Sequence, residues 1–124
     1  MANVVAIGRR AAFHLTNESD ICCIGYDAQS PQGVSGWVHI RGSYDGPMLE
    51  DKIDRWREIC RSLKGAKPSE MAERIAQVEE VVPVAIDRDK LRLFILSVIA
   101  DNLDERCRAW DGLTKSVAQG EGHD

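Results

Sequence analysis

The sequence WVHIRGSYDGPMLEDKIDRWREICRSLK, residues 37–64, contains the point at which the hydrophobic pattern of the chain changes its period. Val38 and Ile40 alternate with the larger or polar residues Trp37, His39 and Arg41. This alternation predicts a strand over residues 37–44 with one buried face. After an Asp-Gly-Pro turn, apolar side chains recur at spacings of four and three, which predicts an amphipathic helix over residues 47–64. The apolar positions of this helix are Leu49, Ile53, Trp56, Cys60 and Leu63.

Two further strands are predicted upstream of this point. Residues 3–15, NVVAIGRRAAFHL, place apolar side chains on one face at a period of two, and residues 21–27, ICCIGYD, form a short apolar run. The polar residues between them are few, so we expect the two strands to pair as a hairpin. No internal repeat is evident in the sequence, so none is expected in the fold.

Two further helices are predicted downstream. A helix opens near Pro68 or Ser69 and cannot continue past Pro83, and residues 81–86 are interpreted as an extended connector or an edge strand. Asp87 is a good N-cap for a last helix that extends to about Trp110. The first half of this last helix is apolar on nearly all sides, which is typical of a helix buried among several elements or at a dimer interface.

These patterns predict a single α+β domain over residues 1–118, followed by a polar C-terminal tail over residues 119–124. The expected architecture is a three-stranded antiparallel β-meander followed by three α-helices packed on one face. The last helix is expected to be long and central. The apolar face of the meander needs a cover, which the helices supply.

Composition and charge narrow the classes of function. The 124 residues carry 16 Lys and Arg against 20 Asp and Glu, for a net charge of −4, which argues against nucleic-acid binding through bulk electrostatics. No secretion signal is visible, and the longest apolar stretch, residues 93–100, is far shorter than the ~20 residues needed to span a bilayer. Four irregularly spaced cysteines indicate free thiols in a reducing compartment. We therefore expect a cytoplasmic protein without a membrane segment.

Two groups of residues are candidates for binding a partner protein. Trp37, His39 and Arg41 share one face of the third predicted strand, and Arg10 and His14 lie on the corresponding face of the first. Stacking and bidentate hydrogen bonds from such side chains can bind an anion or the carboxylates of a partner. An acidic group on the last helix, consisting of Asp101, Asp104 and Glu105, can bind a basic partner. A solvated surface is the alternative interpretation of both groups.

A row of cations suggests a second class of function. Arg57, Arg61 and Lys64 lie on one flank of the first helix, with Lys67 just beyond its end, and such a row can contact phosphates of nucleic acid. The same row also complements the helix dipole and can pair with acids on the helix. Nucleic acid is therefore kept as an alternative partner.

Catalysis is a third alternative. A histidine, His39 or His14, beside a cysteine would have the residue types of a nucleophilic site. His14, His39, Cys22 and Cys23 also include zinc-ligand types, but their spacing is unlike that of zinc sites, so no metal is predicted. No glycine-rich phosphate loop or dinucleotide motif is present, so no cofactor is predicted.

The sequence favours a non-enzymatic protein-interaction module, with another protein as its partner. A small regulator or inhibitor of the kind encoded by phages and mobile elements fits the size and the lack of motifs. The alternatives are a nucleic-acid-binding protein that uses the basic row and a small enzyme with a His/Cys site. A homodimer through the helical part is left open.

Overall fold

The computed structural model describes residues 2–100 and shows an α+β fold with one four-stranded sheet and three α-helices. The strands are β1 (Val4–Ile7), β2 (Ile21–Ile24), β3 (Trp37–Ile40) and β4 (Tyr44–Pro47), in the spatial order β1-β2-β3-β4. The helices are α1 (Ile53–Ser62), α2 (Pro68–Ala76) and α3 (Arg88–Ala100). Short 3₁₀ turns at Glu50–Lys52 and Gln77–Glu80 precede α1 and follow α2.

The predicted antiparallel meander is wrong. β1 pairs with β2 in parallel, β2 pairs with β3 in parallel, and only β4 is antiparallel to its neighbour. The loops over residues 8–20 and 25–36 are long enough to bring the chain back to the amino-terminal end of the preceding strand. A parallel pair of strands requires such a connection, whereas a hairpin does not. The chain therefore forms stacked coils, each a strand with its following loop. Coil 1 spans residues 4–20, coil 2 spans residues 21–36, and coil 3 begins at Trp37.

The coils repeat their backbone conformation, although no repeat was expected from the hydrophobic pattern. Left-handed φ angles occur immediately before each parallel strand, at Asn3, Asp20 and Gly36, which lie 17 and 16 residues apart. Asn, Asp and Gly are the residues that adopt this conformation most readily. Ile7, Ile24 and Ile40 end the three strands in register. Residue type at the turns, rather than hydrophobicity, therefore carries the repeat.

The first strand is shorter than predicted for a related reason. Ala11, Phe13 and Leu15 continue the period of two, but Arg10 and Ala12 have φ angles of 62° and 55°, which no strand contains. This segment is a loop that folds back over the second face of the sheet. The small cluster on that face combines Ile21, Cys23 and Ala28 with Val4, Ala11, Ala12, Leu15 and Trp37. Both faces of β2 are buried, as is usual in parallel sheets.

The main core lies between the other face of the sheet and the helices. Trp56 of α1 is fully buried, and its indole N–H donates to the carbonyl oxygen of Asn3 at 3.0 Å. α2 and α3 pack against each other and contribute most of the remaining interior. Leu91, Phe94, Ile95 and Val98 of α3 are buried, whereas Leu93 and Ile99 are 51% and 37% exposed. The described part of α3 is thus a core element on which two apolar side chains remain partly exposed.

The helix boundaries correct several predictions. The helix predicted over residues 47–64 begins only at Ile53, because Pro47 ends the edge strand β4, where its missing N–H faces away from β3. The start of α2 at Pro68 and the N-cap at Asp87 are confirmed, since Asp87 Oδ1 accepts the N–H of Lys90 at 3.0 Å. Residues 81–86 form a connector without strand pairing.

Some expectations fall on residues outside the described part of the chain. These are the extension of the last helix beyond Ala100, the domain limit at residue 118 and the polar tail. Among the described residues, no helix has the length and apolar character that crossing a membrane demands.

Gly8 is required by the tight stacking of the coils. Its φ is +117°, and a Cβ atom there would lie 2.6 Å from the main-chain oxygen of Gly25. We expect Gly8→Ala to lower the free energy of unfolding by about 2–4 kcal/mol, because backbone strain and overpacking act together. Gly33→Ala is the matched control, since its φ is +83° but no atom lies within 4 Å of the added Cβ. Urea unfolding curves should show a much smaller loss for the control, and equal losses would contradict the stacking argument.

Glu18 joins the loops of coils 1 and 2. Its buried carboxylate accepts the N–H groups of Gly33 and Thr16, each at 2.7 Å. Hydrogen bonds from the main chain at Gly33, at Glu18 itself and at Thr16 lower the pKa of this carboxyl. Because the pKa is lower in the folded protein, the stabilisation is complete above the ordinary value of 4.5 and disappears as the pH falls through the folded value.

Glu18→Gln tests this link between the coils. We expect the variant to be less stable than the wild type near neutral pH, and the difference to shrink as the pH falls below about 4.5. Urea unfolding of both proteins over a series of pH values measures the difference. A gap that stays constant down to the acid limit would contradict the role given to the ionised carboxylate.

Candidate functional site

The carboxyl ends of the parallel strands β1, β2 and β3 lie side by side, along the edge of the sheet that runs across the strands. The residues that follow these strands stack on one another. Main-chain hydrogen bonds run from Gly25 to Ile7 at 2.8 Å, from Asp27 to Arg9 at 2.8 Å, and from Arg41 to Ile24 at 3.0 Å. Ligands of sheets with parallel strands commonly bind outside this edge, because loops from several strands converge there.

An exposed group of cationic and aromatic side chains covers this edge. We call it the arginine–aromatic surface, and it consists of Arg10, Phe13, His14, Tyr26 and Arg41. Phe13 is 62% exposed and Tyr26 is 42% exposed, which is unusual for side chains of this size. Neither lies in a strand or helix, so their positions are set by the turns after β1 and β2.

The side chains of coil 1 contact one another in sequence. The guanidinium carbon of Arg10 lies 5.3 Å from the centre of the Phe13 ring, in cation–π geometry. The rings of Phe13 and His14 meet edge to face with centres 5.1 Å apart. Arg10 Nε also lies 3.8 Å from Asp27 Oδ1, which connects coil 1 to coil 2.

Arg41 extends the surface to the third coil. Its guanidinium carbon lies 5.9 Å from the centre of the Tyr26 ring, and Nη1 donates to the Tyr26 carbonyl oxygen. Arg41 can approach coil 2 because Gly25 has no side chain, and a Cβ at Gly25 would lie 2.7 Å from Arg41 Cβ. The surface thus places two guanidinium groups beside two aromatic rings, with the Asp27 carboxylate next to Arg10.

Of the predicted group Trp37, His39 and Arg41, only Arg41 belongs to this surface. The indole N–H of Trp37 donates to Asp45 Oδ1 at 2.6 Å, and the ring packs on the small cluster of the second face. His39 is half-buried, and its Nδ1 lies 3.2 Å from the nitrogen and 2.6 Å from the oxygen of the Gln29 main chain. Both side chains therefore serve the packing of coil 3.

Arg10 and His14 belong to the surface, but they lie in the loop after β1 rather than on a strand. Sequence reasoning missed Phe13 and Tyr26, because apolar residues at a period of two were assigned to inward strand faces. One signal in the sequence could have shown that both residues lie in loops. The dipeptide Ile-Gly occurs at residues 7–8 and again at residues 24–25, and in both coils it marks the end of the strand and the start of the turn. The acidic candidates Asp101, Asp104 and Glu105 lie outside the described residues.

The basic row on α1 is divided by the fold. Arg57 makes a bidentate ion pair with the buried carboxylate of Asp20, with Nε to Oδ1 at 3.1 Å and Nη2 to Oδ2 at 3.0 Å. Arg57 therefore ties α1 to the entrance of β2. Arg61, Lys64 and Lys67 are exposed and form no ion pair with any residue of the described range 2–100. They remain available to solvent.

Glu79 and Glu80, at the end of the 3₁₀ turn that follows α2, are paired with arginines in the structure. Arg55 Nε lies 2.9 Å from Glu80 Oε2, and Arg88 Nη2 lies 2.7 Å from Glu80 Oε1 and 2.5 Å from Glu79 Oε1. The group joins α1 and the start of α3 through the 3₁₀ turn after α2. Its role is accordingly in the packing of the helices.

The cysteines and histidines do not form a catalytic arrangement in the described residues. Cys23, His39 and Asp45 are register partners across β2, β3 and β4, yet the described contacts of His39 are with Gln29 rather than the thiol. Burial raises the pKa of Cys23 to about 11, and it raises that of Cys22 well above its usual range. Both thiols are protonated at neutral pH, so they are poor nucleophiles.

Metal binding by the four candidate residues is not supported either. Cys22 faces the main core, whereas Cys23 and His39 lie on the second face and His14 is in an exposed loop. Within residues 2–100, no three potential ligands are close enough to hold an ion.

Comparison with protein-family models, with curated proteins and with solved structures produced no match to this chain.

Arg57 and Arg61 allow the structural and exposed parts of the basic row to be tested separately. We expect Arg57→Ala to lower the melting temperature clearly, because it leaves the buried Asp20 carboxylate without its partner. Arg61→Ala, one helical turn away on the same helix, should have little effect. Thermal unfolding followed by circular dichroism measures both, and a similar melting temperature for the two variants would contradict the role given to Arg57.

Proposed function

We propose that this protein is a non-enzymatic interaction module that docks on another protein through the arginine–aromatic surface. The observation that carries this proposal is the exposure of Phe13 and Tyr26 beside oriented guanidinium groups. Arginine and aromatic side chains are enriched where protein interfaces have their largest energetic contributions. Large apolar rings left in solvent indicate a surface that a partner covers.

Charge indicates the chemistry of the partner. The surface carries Arg10 and Arg41, with the acid Asp27 beside Arg10, whereas the whole chain has a net charge of −4. A locally basic surface on an acidic protein favours an approaching carboxylate. We infer that the partner presents carboxylates together with an apolar side chain. A small regulator or inhibitor would act in this way, by occupying a surface of its target.

The orientation of the guanidinium groups supports binding rather than general solubility. Arg10 is directed by the Phe13 ring and Asp27, and Arg41 is directed by Tyr26. Side chains held in place lose less conformational entropy when they bind. A charge-assisted hydrogen bond to a partner's carboxylate is then favourable.

Binding to a synthetic acidic peptide tests the proposal. The probe is a fluorescein-labelled peptide of alternating glutamate and phenylalanine, and fluorescence anisotropy measures its affinity. We expect Arg10→Glu to weaken binding about tenfold to a hundredfold, and Phe13→Ala to weaken it about tenfold, as for residues at the centre of an interface. Arg61→Glu, which reverses an exposed cation on α1, should leave the affinity within about twofold.

A labelled single-stranded oligonucleotide is the second probe in the same assay. If the oligonucleotide binds and its affinity falls with Arg61→Glu and Lys64→Glu but not with Arg10→Glu, the basic row is the binding site and the proposal is wrong. Failure of the acidic peptide to bind, or equal loss from Arg10→Glu and Arg61→Glu, would also overturn it.

A further inference from the structure

A groove lies where the carboxyl end of β1 meets the last turn of α3. It has a volume of about 540 Å³ and is lined by Ala6, Ile7, Gly8, Arg9, Val98 and Ile99. The two elements are close there, since a Cβ atom added at Gly8 would lie 3.2 Å from Val98 Cγ1. The groove therefore joins the end of a helix to the turn that continues into the arginine–aromatic surface.

Arg9 is the charged residue of this groove. Within residues 2–100, its side chain is exposed and forms no ion pair. Arg10, the next residue, lies 3.8 Å from the carboxylate of Asp27. A carboxylate that entered the groove would meet the Arg9 guanidinium group beside the apolar side chains of Val98 and Ile99. The groove thus fits a ligand that carries carboxylates together with apolar side chains.

The chain itself supplies such a ligand directly after the described residues. α3 is described as far as Ala100, which follows the groove residues Val98 and Ile99. The next ten residues read DNLDERCRAW, in which three carboxylates, at residues 101, 104 and 105, precede the first cation. Residues 101–124 carry six Asp or Glu against three Lys or Arg, so they account for −3 of the net charge of −4. An acidic segment therefore begins beside a guanidinium group that has no acid of its own among residues 2–100.

We propose that residues 101–110 of the same chain occupy this groove and bring their carboxylates to Arg9 and Arg10. Covalent connection favours this occupant over a separate molecule, because a tethered segment reaches an effective concentration on the order of millimolar. The segment is also long enough, since ten residues span about 15 Å even as a helix, whereas adjacent strands are about 4.8 Å apart. Asp101 is the nearest acid along the chain and is assigned to Arg9.

The segment has the chemistry that was inferred for the partner, and to this extent the inference rests on the proposed function. Its carboxylates lie close in sequence to the apolar residues Leu103 and Trp110. Arg10 belongs to the arginine–aromatic surface, so residues 101–110 and an acidic partner compete for the same guanidinium group. An internal competitor lowers the apparent affinity in proportion to the fraction of molecules in which the site is free. The segment therefore makes an autoinhibitory contact.

Removal of the acidic charges from the full chain tests the competition. The test variant combines Asp101→Asn, Asp104→Asn and Glu105→Gln. The probe is again the fluorescein-labelled peptide of alternating glutamate and phenylalanine, and fluorescence anisotropy measures its affinity. We expect the affinity to rise about tenfold over that of the wild type, because the competing carboxylates are gone.

A matched control removes the same number of charges from the end of the chain, through Asp111→Asn, Glu121→Gln and Asp124→Asn. It should change the affinity by less than about twofold, since charges farther from the site are screened by salt. An equal rise in both variants, or no rise in the test variant, would overturn the inference and leave the proposed function standing. If the peptide binds none of the three proteins, the proposed function is wrong and the competition is wrong with it.

Exchange of charges between residues 9 and 101 tests the contact without any partner. We expect Arg9→Asp to lower the melting temperature of the full chain by about 2–4 °C, because it places like charges together. Adding Asp101→Arg should restore the melting temperature to within about 1 °C of the wild type. Asp101→Arg with Arg61→Asp is the control and should show only the sum of the single effects, since Arg61 lies on the helix that Arg57 ties to the entrance of β2. An unchanged melting temperature for Arg9→Asp, or no restoration by Asp101→Arg, would overturn the contact.

Discussion

The parallel stacking of three short strands in register is the constraint on which the rest of this structure depends. Each strand is entered through a residue with left-handed φ, at Asn3, Asp20 and Gly36. Residues with a Cβ and no short polar side chain adopt this conformation at a cost, so Asn, Asp and Gly are favoured at the positions where a new coil begins. The loops of the coils cover one face of β2, and the helices cover the other face.

Asp20 connects this constraint to the helical half of the protein. Its N–H bonds to Ala2 at 2.9 Å, and its carbonyl oxygen accepts the N–H of Trp37 at 3.1 Å, so it contacts the coils on both sides. Its buried carboxylate is paired with Arg57 of α1. A single residue thus starts a coil, bonds to its neighbours and positions the helix whose Trp56 fills the core. A buried carboxylate is tolerated there because the bidentate guanidinium contact compensates for its loss of water.

The arginine–aromatic surface is a consequence of the same stacking. Parallel coils bring equivalent turns to one edge, which collects arginine and aromatic side chains from three separate parts of the chain. Among residues 2–100, β1 is the first strand of this stack and pairs with β2. The thiols of Cys22 and Cys23, by contrast, are buried within the same stack, and burial raises the pKa of both.

The sequence by itself determined the α+β class, the three helices in the described chain, the start of α2 at Pro68 and the N-cap at Asp87. These features follow from local hydrogen bonding and from a helical period that only one conformation satisfies. Strand direction, the true end of β1 after Ile7 and the partners of Trp37, His39 and Arg57 were decided by tertiary structure. Side chains alternate with a period of two in parallel and in antiparallel strands alike. The direction of a strand depends instead on the end of the preceding strand to which the connecting loop of about twelve residues brings the chain. The exposure of Phe13 also depends on this loop. The left-handed backbone at Arg10 and Ala12 directs the Phe13 side chain outward, whereas the alternation of a strand would have buried it.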